Sequence, residues 1–304
     1  MTLKDYLIGC SVAMIWGFNF VVIAWGLNDM PPFLLATCRF GLIALIGSLF
    51  IRAPNTPWQW LLFYSLFINV GQFAFLFVAM KEGMSPGIAS LVLQSQFIFS
   101  AILAVFFLQE RVSIQQIVAL SVSMIGLLTL ITDQNTASYS VVSFTLTLLA
   151  ALCWGAGNIV NKSITNNGFQ TGMSLVVWSA WFSIPPFAVC SIVFEGVSSI
   201  ETSLLSINFN TIAAVFYLSI FASIIGFGLW SNLLEKHSAA KVAPLSLGVP
   251  IFGFGFSYIF FDESIKPSQF LGILFIMMGL AINVIRFNKS VPPIAQLRRI
   301  ARKS

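Results

Sequence analysis

The sequence predicts an all-α polytopic membrane protein, in which ten transmembrane helices form two inverted five-helix repeats. Three observations support this fold class. Of the 304 residues, 58% are apolar and only 8% are charged, whereas a soluble domain averages roughly 45–50% apolar and 25% charged residues. The apolar residues fall into long runs, and the series of runs is duplicated. A water-soluble globular protein is therefore excluded.

Ten apolar runs are long enough to cross a bilayer, because about 20 apolar residues in a helix span roughly 30 Å of hydrocarbon. Charged or turn residues separate them, and the connections are too short for a separate soluble domain. We name the runs spans one to ten, and the sequence predicts them at Tyr6–Leu27, Phe33–Ile51, Trp58–Ala79, Gly87–Leu108, Ser113–Thr132, Val141–Val160, Gly172–Phe194, Asn210–Trp230, Val242–Phe261 and Pro267–Ile285.

The positions of lysine and arginine predict that both termini are cytoplasmic. With the N-terminus inside, twelve of the 15 basic residues fall at inner loops and ends, Lys81 and Lys266 fall in outer loops, and Arg39 lies within span two. This bias is the positive-inside signal of membrane proteins. We therefore interpret the basic tail, 287–304, as a contact with anionic membrane lipid and not with nucleic acid.

An internal duplication divides the chain. Trp154-Gly155 in span six follows Trp16-Gly17 in span one by 138 positions, and a longer stretch aligns without gaps at an offset of 153. The larger offset fits a longer loop near residues 195–208. We predict a first repeat at 1–135 and a second at 136–286. Since five spans is an odd number, the second repeat enters the membrane in the opposite direction, as in many secondary transporters.

The same segments resemble a known family. The opening of span one (Trp16 to Phe20), the stretch from Pro32 to Phe40 and the Glu110-Arg111 end of span four are similar to the EamA family of the drug/metabolite transporter superfamily. The resemblance covers about residues 6–286, and within the family it is greatest to bacterial exporters of O-acetylserine and cysteine. It implies a multi-pass exporter of small amino-acid metabolites in a bacterial inner membrane, with ten helices around a central cavity.

Polar side chains inside the spans are the candidate substrate site, because in hydrocarbon each needs a partner or a wet cavity. The predicted substrate-binding residues are Asn19, Arg39, Gln72, Ser90, Gln94, Asn158 and Tyr217. Gln72 stands out because Phe73, Phe75 and Phe77 follow it and could form an apolar wall.

Helical spacing separates Gln94 from Gln96. In an α-helix two such positions point roughly 200° apart, so both should not face one cavity. Ser90 lies one turn before Gln94, on the same face. We therefore expect a Ser90 and Gln94 stripe toward the cavity, although any single amide has the alternative role of joining two helices.

For three of the predicted site residues, a structural role is favoured over substrate binding. Asn19 and Asn158 each follow a Trp-Gly pair, where an amide could join closely packed helices instead of binding substrate. Arg39 is the costliest residue in the spans. It could bind a carboxylate with two hydrogen bonds, but snorkelling to the outer interface or a structural ion pair is the favoured interpretation.

Spans four and nine are the expected moving gates. Pro244, Pro250, Gly253 and Gly255 interrupt span nine, whereas span four has only a Pro-Gly pair at its start. Interrupted helices at corresponding positions point to a transporter's binding site, so by sequence only the span-nine half of this signal is complete. The alternative is that these residues only shape packing.

Three function classes remain to be compared. The leading hypothesis is alternating-access export of neutral amino-acid metabolites, with export of another small metabolite or drug as the alternative. No Asp or Glu lies deep in a span, so export is either proton-coupled through an end residue such as Glu110 or Glu263, or facilitated diffusion. His237 is the single histidine, and no metal or cofactor motif is present. An intramembrane enzyme or a passive scaffold is therefore less favoured.

Overall fold

The computed structural model describes residues 1–132, 139–237 and 239–285, and every regular element in these ranges is helical. The predicted all-α class is confirmed. The basic tail predicted at 287–304 lies outside the described residues.

The helices follow the predicted spans closely. Nine helices in the described ranges are long and apolar enough to cross a membrane, and they run over Leu3–Asp29, Pro32–Phe50, Trp58–Lys81, Pro86–Leu108, Ile114–Thr132, Val141–Asn166, Met173–Glu195, Phe209–Lys236 and Ala243–Phe261. Span ten is a shorter apolar helix, Pro267–Val284. Spans six and eight extend about one turn or more beyond their predicted ends, because polar residues continue a helix beyond its apolar run.

The longer loop of the second half folds as an additional helix, Val197–Leu205. Just before it, the Glu195 carboxylate accepts hydrogen bonds from the backbone amides of Phe33 (2.6 Å) and Leu34 (3.1 Å) at the start of span two. A carboxylate is favourable there because the first amides of a helix have no partner within the helix. The contact joins span seven to span two.

Both repeats depart from α-helical geometry at matched positions. Span three contains a π-helical stretch, Ser65–Gly71, and span eight contains another, Tyr217–Ile225. Span four contains a 3₁₀ turn, Leu93–Ser95, and span nine contains one at Ala243–Leu247. The prediction that only span nine is interrupted is therefore wrong. The turn in span four forms without a proline, so the sequence signal for an interruption was missing.

The main helix contacts each join a span of one repeat to a span of the other. Span one packs on span nine, and span six packs on span four, while spans two and seven pair with each other, as do spans five and ten. Glycines allow the first two contacts: a Cβ on Gly17 would lie 2.6 Å from the Cβ of Phe252, and a Cβ on Gly155 would lie 2.8 Å from the Cβ of Phe99. These close approaches bring spans one, four, six and nine around one central space.

Candidate functional site

A central cavity of about 480 Å³ lies among the spans of both repeats. This volume is within the range of about 300–1,000 Å³ that is typical of small-molecule sites. Aromatic rings and polar side chains share its wall. The residues that line it include Trp16, Asn19, Arg39, Tyr64, Asn69, Gln72, Phe73, Ser90, Gln94, Gln96, Trp154, Asn158, Asn161, Ser223, Phe227 and Trp230.

Six of the seven predicted site residues line this cavity, and Tyr217 does not. The Tyr217 hydroxyl instead donates a hydrogen bond to the carbonyl of Ile15 (2.9 Å), and its ring packs edge-on against Phe18. Tyr217 therefore joins span eight to span one. It begins the π-helical stretch of span eight, whose direction could not be inferred from α-helical spacing.

Arg39 lies inside the protein, which contradicts the snorkelling interpretation. Its side chain borders the cavity although the residue is only 3% exposed. The Nη2 atom donates to Ser223 Oγ at 3.2 Å, and the guanidinium carbon lies 4.1 Å from the centre of the Phe73 ring. Within the described residues, Arg39 has no carboxylate partner, and its Nε and Nη1 atoms have no hydrogen-bond acceptor. The structure thus holds a buried cation with unused donors.

Gln94 and Gln96 both line the cavity, so the expectation that only one of them could do so is wrong. The 3₁₀ turn at Leu93–Ser95 changes the helical twist between them. Gln96 is already engaged, because its Oε1 accepts a hydrogen bond from Asn158 Nδ2 at 2.7 Å. Asn158 therefore joins span six to span four, as in its structural interpretation, while also bordering the cavity.

Two asparagines that line the cavity have a side-chain oxygen without a hydrogen-bond partner among the described residues, the predicted Asn19 and the unpredicted Asn161. Asn19 is 8% exposed, and its Oδ1 atom has no hydrogen-bond donor in the described part of the chain. The same is true of Asn161 Oδ1 in span six. Asn69 differs, because its Nδ2 donates to Ser179 Oγ at 3.0 Å and ties span three to span seven. The cavity thus combines free donors on Arg39 with free acceptors on Asn19 and Asn161.

Several cavity residues were not predicted. Ser223 lies in the π-helical stretch of span eight, where α-helical spacing fails to show which face is turned inward. Trp230 lies at the predicted end of span eight, where an aromatic side chain is usually an interfacial anchor, yet it borders the cavity and packs on the Trp16 ring at 5.4 Å. Trp16 and Trp154 border it as well. Their duplication was the available signal, since both occur in the repeated Trp-Gly pairs.

The cavity extends toward the end of the bundle that the charge distribution predicts to be cytoplasmic. Its lining reaches Gly172, next to the loop between spans six and seven, and Leu234 near the end of span eight. In the opposite direction the lining stops at Phe20 in span one and Leu76 in span three. Across the residues that the structure describes, no cluster of His, Cys, Asp and Glu is placed to hold a metal ion.

Comparisons with known proteins agree with this architecture. A protein of Escherichia coli (strain K12) named "Probable amino-acid metabolite efflux pump" is 42% identical over 295 residues, covering 96% of this chain and 99% of that protein. A Salmonella typhimurium protein of the same name is also 42% identical and aligns over 100% of both chains. A solved crystal structure covers 99% of both chains with a TM-score of 0.62 at 17% identity, which shows a shared fold.

The family comparison covers most of the chain in two parts. The family described as "EamA-like transporter family" matches residues 3–132 and again residues 142–285. Together with the long apolar helices and the two full-length relatives, this match identifies a multi-pass membrane protein that transports small molecules. The chain belongs to the EamA-like transporter family.

Proposed function

We propose that this protein exports small zwitterionic amino-acid metabolites, of the cysteine and O-acetylserine type, by alternating access across a bacterial inner membrane with both termini in the cytoplasm. The observation that carries the proposal is the unpaired Arg39 guanidinium at the wall of the central cavity. The printed names of the two bacterial relatives support the substrate class.

The polar groups of the cavity are complementary to a zwitterion. A substrate carboxylate would accept a hydrogen bond from the unused Nε or Nη1 atom of Arg39, and a second one from the adjacent Nη2 would complete the two parallel bonds of a guanidinium and a carboxylate. A substrate ammonium would donate to the unused oxygens of Asn19 or Asn161. A buried cation without a partner is costly in hydrocarbon, so an arriving carboxylate lowers the free energy of the site.

The aromatic part of the wall supports a small and only partly polar substrate. Phe73, Phe227 and Trp230 offer apolar surface beside the polar groups. Such walls commonly bury most of a small ligand, while a few polar contacts set its orientation. The alternative, export of another small metabolite or drug, uses the same walls without needing the full set of charges.

The direct test is efflux from proteoliposomes loaded with radiolabelled cysteine or O-acetylserine. We expect both to leave faster than from protein-free vesicles, and an excess of unlabelled amino acid on the loaded side to slow the loss of label. No acceleration by correctly folded protein would reject this substrate class. Acceleration of an uncharged test metabolite alone would favour the alternative.

The two glutamines with free side chains provide a second test. Gln72 and Gln94 both border the cavity, and neither side chain makes a hydrogen bond to another described residue. Replacing either by Leu should lower substrate efflux about two- to tenfold, because one hydrogen bond to substrate is worth about 0.5–1.5 kcal/mol. The readout is initial efflux rate per folded protein in proteoliposomes.

Gln59→Leu is the matched control for these variants. Gln59 is exposed in the first turn of span three and does not border the cavity. It should leave efflux unchanged. Full activity in both Gln72→Leu and Gln94→Leu would remove these amides from the substrate site.

A further inference from the structure

A carboxylate closes one end of the bundle by binding the start of span four. Glu263, just after span nine, accepts hydrogen bonds from Ser85 Oγ (2.5 Å) and from the backbone amides of Gly87 (2.9 Å) and Ile88 (3.3 Å). The hydroxyl of Ser257 in span nine donates to the same carboxylate. Because the first amides of a helix lack partners within the helix, a negative charge there is favourable. This contact joins the two predicted gate helices at the predicted outer end.

The other repeat contains the same turn. Glu110 precedes Glu263 by 153 positions, and each follows a residue in the left-handed backbone region, Gln109 and Asp262, both with φ of 52°. Few residues other than glycine adopt this conformation. The backbone amide of Glu110 donates a hydrogen bond to the carbonyl of Ala104. At the matched positions, the backbone amide of Glu263 donates to the carbonyl of Ser257. The backbone therefore turns in the same way just before each of the two glutamates.

The two glutamates nevertheless have different partners. Glu110 forms an ion pair with Lys162 at the surface, where its side chain is 41% exposed, and among the described residues it makes no hydrogen bond or ion pair with the segment that leads into span nine. The cavity also extends toward this end of the bundle. In the described residues, the glutamate contact between spans nine and four is thus formed at the predicted outer end, and the corresponding contact of Glu110 at the inner end is not formed.

We propose that Glu263 and Glu110 are alternating latches, and that the outward-open state exchanges the contact of Glu263 with span four for a matching contact of Glu110 with the start of span nine. The matching donors are the backbone amides of residues 240 and 241, in the helical turn Ala239–Val242 that leads into span nine, at the same offset from Gly87 and Ile88. The proposal rests on the proposed function only in assuming alternating access.

A single additional hydroxyl, on Ser257, favours the outer latch. Ser257 supplies a fourth donor to Glu263, whereas the matched residue in span four is Ala104, which has no hydroxyl. Hydrogen bonds to a charged acceptor are roughly twice as strong as those between neutral groups. The outer latch therefore holds more tightly than the inner latch, in agreement with the state observed.

Thiol accessibility tests the latches without any substrate. The background is a variant with its four native cysteines replaced by serine and a reporter cysteine placed at the cavity position Gln94 (Gln94→Cys). A membrane-impermeant maleimide is added to intact cells, where it reaches the cavity only from outside. Glu263→Ala should raise the labelling rate at least threefold, and Ser257→Ala and Ala104→Ser should raise it by smaller factors. Adding Glu110→Ala to Glu263→Ala should lower the rate again.

Glu195→Ala is the matched control, since Glu195 also binds two amides at a helix start but has no counterpart at the 153-residue offset. It should leave labelling unchanged. Unaltered labelling in Glu263→Ala, or an equal increase in Glu195→Ala, would overturn the proposal. If the double variant keeps the high labelling rate of Glu263→Ala, Glu110 is not a latch.

Size-exclusion chromatography verifies folding of each variant. If Glu263→Ala fails to fold, Ser85→Ala replaces it, and the labelling rate should again rise. Export of a different substrate would leave the labelling result intact.

Discussion

Replacing Arg39 by Met should lower the efflux of a zwitterionic amino acid at least about tenfold at subsaturating concentration, because a hydrogen bond to a charged group is worth about 1.5–3 kcal/mol. The same variant should keep or raise the melting temperature. Arg39 has no carboxylate partner in the described residues, and replacing a buried ionic group by an apolar side chain of similar volume is often neutral or stabilising. Efflux from proteoliposomes and thermal unfolding in detergent measure the two effects.

The opposite directions of these effects separate a binding role from a structural one. Arg39→Lys keeps the charge but loses the planar fork, so it should retain only part of the activity. Arg52→Met is the matched control, because Arg52 is exposed in the loop after span two and should tolerate the change. A large fall in melting temperature for Arg39→Met would assign the guanidinium to structural packing, and unchanged efflux would remove it from the site.

Adding one methyl group at Gly17 or Gly155 should destabilise the protein by about 1–3 kcal/mol, the usual cost of overpacking a close contact. At Gly17 the new carbon would lie 2.8 Å from the backbone nitrogen of Gly253, and at Gly155 it would lie 3.0 Å from that of Ser100. A backbone atom cannot turn aside as a flexible side chain can, so the helices must separate. Thermal unfolding in detergent and the yield of monodisperse protein measure the cost for Gly17→Ala and Gly155→Ala.

Span nine provides the control for this prediction. A Cβ on Gly255 would meet no atom within 4 Å, and Ala is a better helix former than Gly. Gly255→Ala should therefore be neutral or slightly stabilising. Equal losses in Gly255→Ala and Gly17→Ala would show that the close approach of spans one and nine is not what limits stability.

The membrane fold followed from local properties of the chain. Apolar run length, charge placement and the two Trp-Gly pairs are readable residue by residue, and they predicted the helices that the structure contains within a few residues at most ends. The additional helix Val197–Leu205 was missed because it is short and lies outside the apolar runs.

The site depended on properties that no local pattern contains. For Arg39 the sequence leaves substrate binding, snorkelling and structural pairing open, and only the structure shows that the guanidinium stays inside, with the Phe73 ring of span three over it. Gln96 was excluded by α-helical spacing, yet a 3₁₀ turn brings it to the cavity. Tyr217 was included for its polarity, yet its hydroxyl is used by span one.

By itself, the sequence therefore determined the membrane class, the course of the spans and the set of polar residues from which a site could be made. The tertiary structure alone decided which of these residues share a cavity and which are already paired. The physical reason is that a side chain's direction depends on the local helical twist, and its partners come from other spans that are distant along the chain, as Asn69 with Ser179 and Asn158 with Gln96 show.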